Sequence, residues 1–258
     1  MAFVFFSFCS HRKRLALKQS WSAAVLDALG IQLEADLANI VPGALLVANH
    51  VSWVDIFVIN AALPSAFVSK EDVRHWPLIG WLAAKNDTVF LRRGSRGHAR
   101  IINAQVEAIL SQGKHVAVFP EGTTTDGQHL LHFHAALIQP ALVAARPVLP
   151  VALSYWAQDG QRSLAPRYDG DISLGQCLAA ILGCKRIIAR LVVTPALGLS
   201  GEDRRVVATQ ARQAISLAAG LPRLNNPLET PGDLQGGRQS GDLPTSSLNP
   251  GPAGSASS

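Results

Sequence analysis

The apolar run Ala44-Leu45-Leu46-Val47-Ala48 breaks into Asn49-His50-Val51-Ser52-Trp53-Val54-Asp55, and a second apolar run, Ile56-Phe57-Val58-Ile59, follows at once. A short apolar run bounded by polar residues is the pattern of a buried strand. The second run, entered through an acidic residue, reads as a helix whose first turn favours a carboxylate through the helix dipole. Ser52 with Asp55 three residues on has the form of an N-terminal capping box. Strand, turn and helix in this order form the unit of an open α/β sheet, which places its chemistry at the carboxyl ends of its strands. His50 falls at such an end.

The His50–Asp55 spacing has a chemical use. A histidine acting as general base needs a fixed tautomer and a stabilised imidazolium, and a carboxylate on one ring nitrogen provides both. Five residues of turn and first helical turn bring Asp55 within reach of His50, which would then take a proton from an acceptor hydroxyl. The alternative is an ordinary turn histidine beside a helix-capping aspartate, and the pair alone does not separate the two readings.

A second strand-like run, His115-Val116-Ala117-Val118, opens into Phe119-Pro120-Glu121-Gly122-Thr123-Thr124-Thr125. Backbone N–H groups freed in a glycine- and hydroxyl-rich turn are suited to hold a phosphate. With this block the chain resembles the glycerolipid acyltransferases, that is, the lysophosphatidic acid acyltransferases and their relatives. That family carries Asn-His-x4-Asp, then Phe-x-x-Arg, then Phe-Pro-Glu-Gly-Thr, then an apolar segment with a proline. Here the blocks are Asn49-His50 to Asp55, Phe90-Leu91-Arg92-Arg93, Phe119 to Thr123, and Val148-Leu149-Pro150-Val151. Four blocks in one order are far more specific than any one of them, and the resemblance spans about residues 30 to 195.

The resemblance implies transfer of a fatty acyl group from acyl-CoA or acyl carrier protein, as donor substrate and without a cofactor, to a lysophospholipid hydroxyl. The implied acceptor is 1-acyl-sn-glycerol-3-phosphate and the product phosphatidic acid. His50 would be the base and Asp55 its orienter. Arg93, Glu121, Gly122 and Thr123 would hold the phosphate, with Thr124 assisting and Lys70 approaching it. Within that set Glu121 suits a positioning task, orienting Arg93 or bracing the turn, because its charge repels phosphate. Two rivals stand beside this reading. One is an O-acyltransferase for another lysolipid, such as lyso-ornithine lipid. The other is a noncatalytic lipid-binding protein, against which the His50–Asp55 pair argues.

Composition narrows the partners. Hydrophobic residues make up 48% of the 258 and charged residues 16%, enough for a substantial core under a lightly charged surface. The formal net charge of +5 comes with no nucleic-acid motif, which points to a membrane surface or a phosphorylated substrate. Cys9, Cys177 and Cys184 are odd in number and lack Cys-x-x-Cys spacing, which argues against a disulfide framework or a zinc site. Cys177 and Cys184 read as buried thiols on a helix. His129, His132 and His134 cluster without a carboxylate or thiol at a recognised metal spacing, so no metal is expected. His134 stands where the resembling family usually has Lys or Arg, which would make a substrate contact there depend on pH.

The fold expected is α/β, a mixed or mainly parallel sheet flanked by helices, with an N-terminal amphipathic helix. Residues 1–30 are read as a membrane-associating segment, 31–221 as the acyltransferase domain and 222–258 as a disordered tail rich in Pro, Gly and Ser. Met1 to Cys9 is apolar and His11-Arg12-Lys13-Arg14 basic, the order found at the end of a membrane segment facing a positive interior. Leu17, Trp21, Ala24, Val25 and Ala28 recur at helical spacing behind those charges. The chain is therefore expected at the cytoplasmic face of a membrane. Further strands are expected at 66–69, 88–91, 148–153, 169–174 and 187–194, and helices at 77–84, 96–112, 135–146 and 202–219.

Overall fold

The computed structural model describes residues 11–70, 89–91, 96–198 and 201–222. Helix α1 (His11–Ala28) leads into β1 (Ile31–Asp36) and β2 (Leu45–Ala48). Then come α2 (Asp55–Ala62), β3 (Ala66–Lys70), β4 (Val89–Leu91), α3 (Arg96–Ser111) and β5 (Val116–Val118). A 3-10 turn (Ala135–Leu137) and α4 (Gln139–Val143) precede β6 (Val148–Ala157), α5 (Leu174–Leu182), β7 (Ile187–Val193) and α6 (Arg204–Ala218). Pro140 sits in the first turn of α4, where its missing N–H leaves no bond unmade.

The strands form one seven-stranded sheet in the order β1-β7-β6-β2-β5-β3-β4. Every adjacent pair is parallel except β6 and β7. The sheet is therefore mixed, as expected. Strand β2 lies at its centre, and successive side chains on a strand face opposite ways. Leu46 and Ala48 join a core with Leu26 of α1, Val58 and Ile59 of α2 and Ile181 of α5. Leu45 and Val47 join the opposite core, with Ile102 and Val106 of α3 and Val207, Ala211 and Ile215 of α6. All four β2 residues are fully buried, which accounts for an apolar run without alternation.

This topology gathers strand ends. Strands β2, β3, β4, β5 and β6 all run parallel to one another, so their carboxyl ends share one edge of the sheet. His50 follows β2 there, the Phe119–Thr125 turn follows β5, and Lys70 ends β3.

Three expectations change. Residues 169–174 are no strand. They form a turn around Gly170 that delivers Ser173 as the capping-box residue of α5. Strand β1 occupies Ile31–Asp36, where no strand was expected, because its burial pattern follows pairing with β7 at the sheet edge rather than an alternating core face. In α1 the row that packs is Lys18, Ser22 and Leu26, whereas Leu17 and Trp21 are 49% and 39% exposed. The cause is polar. Lys18 Nζ donates to the Ser65 carbonyl at 2.6 Å and Gln19 Nε2 to the Ala61 carbonyl at 2.9 Å. Those carbonyls lie at and just beyond the end of α2, where the helix dipole favours a cation. Leu17 and Trp21 consequently face outward. The expected helix at 77–84, the apolar start at 1–9 and the tail from 223 lie outside the described residues.

Gly43 sets the entry to β2. It holds φ +65°, and a Cβ there would stand 2.9 Å from Gly113 Cα, a backbone atom that cannot swing aside. Gly43→Ala is predicted to lower stability by about 1–3 kcal/mol. Urea denaturation measures this directly, and an unchanged midpoint would show that the approach of the two backbones is not tight.

Candidate active site

The turn after β2 is built around a carboxylate. Asp55 is fully buried, and its Oδ2 accepts the amides of Val51 at 2.7 Å and Ser52 at 3.0 Å. The same oxygen lies 2.8 Å from His50 Nδ1. Tyr155 of β6 donates its hydroxyl to Asp55 Oδ1 at 2.5 Å. A buried carboxylate so surrounded can only accept, so the proton on the imidazole belongs on Nδ1. That leaves Nε2 as the basic nitrogen. The His50 side chain is 19% exposed, which opens the ring to a substrate while its partner stays dry.

The capping box expected of Ser52 and Asp55 is only half formed. The carboxylate takes the Ser52 amide, but the Ser52 hydroxyl accepts from Val54 N at 3.3 Å, and α2 starts at Asp55 itself. Asp55 is turned back toward His50 instead of serving the helix alone.

Neighbouring elements brace the turn. Asn49 Nδ2 donates to the Leu153 carbonyl at 3.0 Å, and its Oδ1 accepts Leu153 N at 2.8 Å. One side chain thus takes over from the β2–β6 ladder, whose last pair is Ala48 with Val151. Phe119 lies flat against the imidazole of His50, centroids 3.9 Å apart and planes 12° from parallel.

Glu121 is the second buried acid. Its Oε1 accepts the His50 amide at 2.9 Å and its Oε2 the Leu131 amide at 2.9 Å. Both oxygens point inward, so Glu121 is placed as a clamp between the two turns and not as a contact for substrate. Burial pushes its carboxyl up to about 7, against the opposing pull of the two amides, and the nearby Asp55 adds to the rise. The Arg212 guanidinium partly offsets it.

The turn offers fewer amides than expected. Gly122 N donates to the Phe119 carbonyl at 3.1 Å and Thr125 N to the His50 carbonyl at 2.9 Å. Of the Gly122–Thr125 amides, those of Thr123 and Thr124 have no partner among the described residues. Thr123 is exposed, and Thr124 Oγ1 is bonded to the Tyr168 carbonyl. Gly122 adopts φ +72°, and the exposed His134 ring lies over it, 3.5 Å from where a Cβ would be. His134 therefore borders the same turn.

Lys70 ends β3 at the shared edge, though its side chain lies outside the described residues, as does Arg93 beyond the end of β4. His129 pairs with Asp126 at 3.0 Å, and the rings of His132 and His134 meet edge to face at 5.8 Å. Among the described residues no group of three or more His, Cys, Asp or Glu is arranged to hold a metal ion. Cys177 is buried and Cys184 half-buried, and both are free thiols. Sequence reasoning missed Tyr155, Phe119 as a ring partner and Asn49 as a brace. Only Phe119 and Asn49 carried a signal, as members of the recurring blocks.

A histidine–carboxylate pair at the carboxyl edge of a mixed α/β sheet is equipped for general-base chemistry. A family model described as Acyltransferase matches residues 34–154. A lyso-ornithine lipid O-acyltransferase of Pseudomonas aeruginosa is 40% identical over 80% of this chain and 79% of its own length. A 1-acyl-sn-glycerol-3-phosphate acyltransferase of Neisseria meningitidis is 37% identical over 74% of this chain and 75% of its own. The crystal structure of the 1-acyl-sn-glycerophosphate acyltransferase of Thermotoga maritima superposes with a TM-score of 0.60 over 92% of this chain and 88% of that one, at 20% identity, and so shares the fold. The chain belongs to the glycerolipid acyltransferase family and is an acyltransferase of lipid biosynthesis.

Glu121 yields a pH prediction. Its carboxyl titrates near 7 when folded and near 4.5 when unfolded, so between those values the native chain holds a proton that the unfolded chain has released. Stability should therefore fall as pH rises through that window, by up to roughly 3 kcal/mol. Glu121→Gln keeps one acceptor and should be less stable at pH 5 than the wild type, yet with a flatter pH dependence. Chemical denaturation at pH 5 and pH 7.5 checks this, and equal slopes for both proteins would contradict it.

Proposed function

We propose that the chain moves a fatty acyl group from a thioester, acyl-CoA or acyl carrier protein, to the free hydroxyl of 1-acyl-sn-glycerol-3-phosphate, forming phosphatidic acid. The observation that carries the catalytic part is the His50 Nδ1 to Asp55 Oδ2 contact of 2.8 Å, with the carboxylate buried and the imidazole accessible. His50 Nε2 takes the hydroxyl proton as the oxygen attacks the thioester carbonyl. The new C–O ester bond forms, the C–S bond breaks, and the imidazolium returns the proton to the departing thiolate. No acyl-enzyme is required. Asp55 holds the tautomer and steadies the transient positive ring.

The phosphate would lie against the amides of Thr123 and Thr124, with Arg93 and Lys70 supplying charge. A second reading has a specific basis. The 40% identical relative is named for a lyso-ornithine lipid, which makes an acceptor lacking the phosphomonoester the second candidate. The first reading predicts strong dependence on phosphate, and the second does not.

The acceptor is a lipid, and we place the site at a membrane surface on the cytoplasmic side. Supporting this, α1 carries exposed Leu17 and Trp21 behind the exposed cations Arg12, Lys13 and Arg14. Trp21 rests on Phe57 of α2, with ring centroids 5.3 Å apart, and α2 begins at Asp55. An apolar row beside cations suits the interface of an anionic bilayer. Among the described residues no helix is long and apolar enough to cross a membrane.

His50→Ala is predicted to lower turnover by about 10²–10⁴-fold while the protein stays folded. In an acceptor panel the wild type should prefer 1-acyl-sn-glycerol-3-phosphate, and Arg93→Ala should raise the KM for it more than it lowers kcat. Near-normal turnover by a folded His50→Ala protein would remove the dyad, and better use of a lyso-ornithine lipid would favour the second acceptor. Leu17→Ser with Trp21→Ser should reduce sedimentation with anionic vesicles, and added salt should weaken wild-type binding. Undiminished sedimentation of the double variant would place the membrane contact elsewhere.

A further inference from the structure

We infer that Tyr155 is a positioning residue for acyl transfer, its phenol holding Asp55 in the orientation that sets the basicity of His50. The inference rests on the dyad reading above and adds a third member to it. Tyr155 lies 100 residues from Asp55 in sequence and reaches it through the fold alone.

The register explains how. Strand β2 pairs with β6 only as far as Ala48 with Val151, while β6 continues to Ala157. Residues 152–157 of β6 therefore run on past the end of β2, alongside the His50 turn. Two contacts cross that gap. Asn49 grips both the amide and the carbonyl of Leu153, which fixes the height of the turn over the strand. Two residues on, and so on the same face, Tyr155 meets Asp55 Oδ1 at 2.5 Å. Both partners are buried.

The bonds on Asp55 are divided. Oδ2 receives His50 Nδ1 and the amides of Val51 and Ser52, whereas Oδ1 receives Tyr155 as its one donor among the described residues. Without the phenol Oδ1 would be a buried carboxylate oxygen with no donor among the described residues, free to rotate toward another. Burial pushes the Tyr155 hydroxyl well above its usual range, and the adjacent Asp55 charge adds to the rise, so the phenol stays protonated and remains a donor throughout the working range. Withdrawing charge through Oδ1 weakens the carboxylate as a partner for the imidazolium. The phenol thus both orients the carboxylate and tempers it.

Among the described residues the other ionisable groups facing this cluster are few. Glu121 approaches from the turn after β5 through the His50 amide, with Arg212 of α6 behind it. Cys177 approaches from α5, its thiol bonded to the Pro166 carbonyl. His134 lies across Gly122. Tyr155→Phe leaves all of them in place.

Tyr155→Phe in the full chain should lower kcat by about 10- to 100-fold, the scale of one hydrogen bond to a charged group, with the acceptor KM within about twofold. The acid limb of its kcat/KM profile should move to higher pH, because an untempered Asp55 holds the imidazolium more firmly. A fluorinated tyrosine placed at 155 keeps the shape and donates more strongly, so its acid limb should move to lower pH. This second variant serves even where Tyr155→Phe folds poorly. Opposite shifts would establish the role. Unmoved acid limbs, or a lower melting temperature with unchanged kcat, would overturn it and leave Tyr155 a purely structural residue. His50→Ala assayed alongside separates the claims. If that variant is inactive and the tyrosine variants have normal profiles, only the present inference fails. If it remains active, the dyad reading fails with it.

Discussion

The Asp55 carboxylate is the interaction on which the site depends. A fully buried anion is destabilising by several kcal/mol unless it is surrounded by donors. Here the surrounding donors come from three places, namely two amides of its own turn, one imidazole and one phenol from a strand 100 residues away. Each bond fixes something else. The amides fold the turn after β2, the imidazole becomes a base of defined tautomer, and the phenol ties the turn to β6. Removing the charge would therefore disturb folding and chemistry together. The Glu121 environment differs, since its two amide bonds do not overcome burial and its carboxyl is pushed up to about 7. Two acids within one site thus have separate tasks, one turned toward the His50 ring, the other a clamp between turns.

Parallel topology makes this convergence possible. Five parallel strands end at one edge, and the turns that follow β2 and β5 meet through the Glu121 bonds to the His50 and Leu131 amides. Phe119 at the start of the second turn closes one face of the imidazole. Trp21 in the outward row of α1 packs on Phe57 of α2, and α2 begins at Asp55, so the surface proposed to meet lipid adjoins the helix that starts at the site.

Much of this was legible in the chain because it is local. The strand-turn-helix around His50, the turn after β5 and the α/β class follow from short apolar runs broken by polar turns. The contact of His50 with Asp55 was readable because five residues span it. What was not legible depends on register. Tyr155 sits in the apolar run of β6 and looks like core, and nothing in its surroundings announces a partner in another strand's turn. Glu121 was readable as a brace for its turn, but the amides of His50 and Leu131 as its partners were not. The inner face of α1 was hidden for another reason. Periodicity ranks apolar residues, whereas the packed row contains Lys18 and Ser22, selected by the carbonyls at the end of α2. Strand β1 is mostly exposed and at an edge, where alternation carries little information.

The central claim is that Asp55 fixes the His50 tautomer with its proton on Nδ1. Nitrogen-15 NMR of histidine-labelled protein reads that tautomer directly for the neutral ring. The account predicts an Nδ1–H imidazole at His50 in the wild type, and in Asp55→Asn a change of tautomer accompanied by loss of acyl transfer. An Nε2–H ring in the wild type, or an Asp55→Asn protein with the wild-type tautomer and turnover, would contradict it.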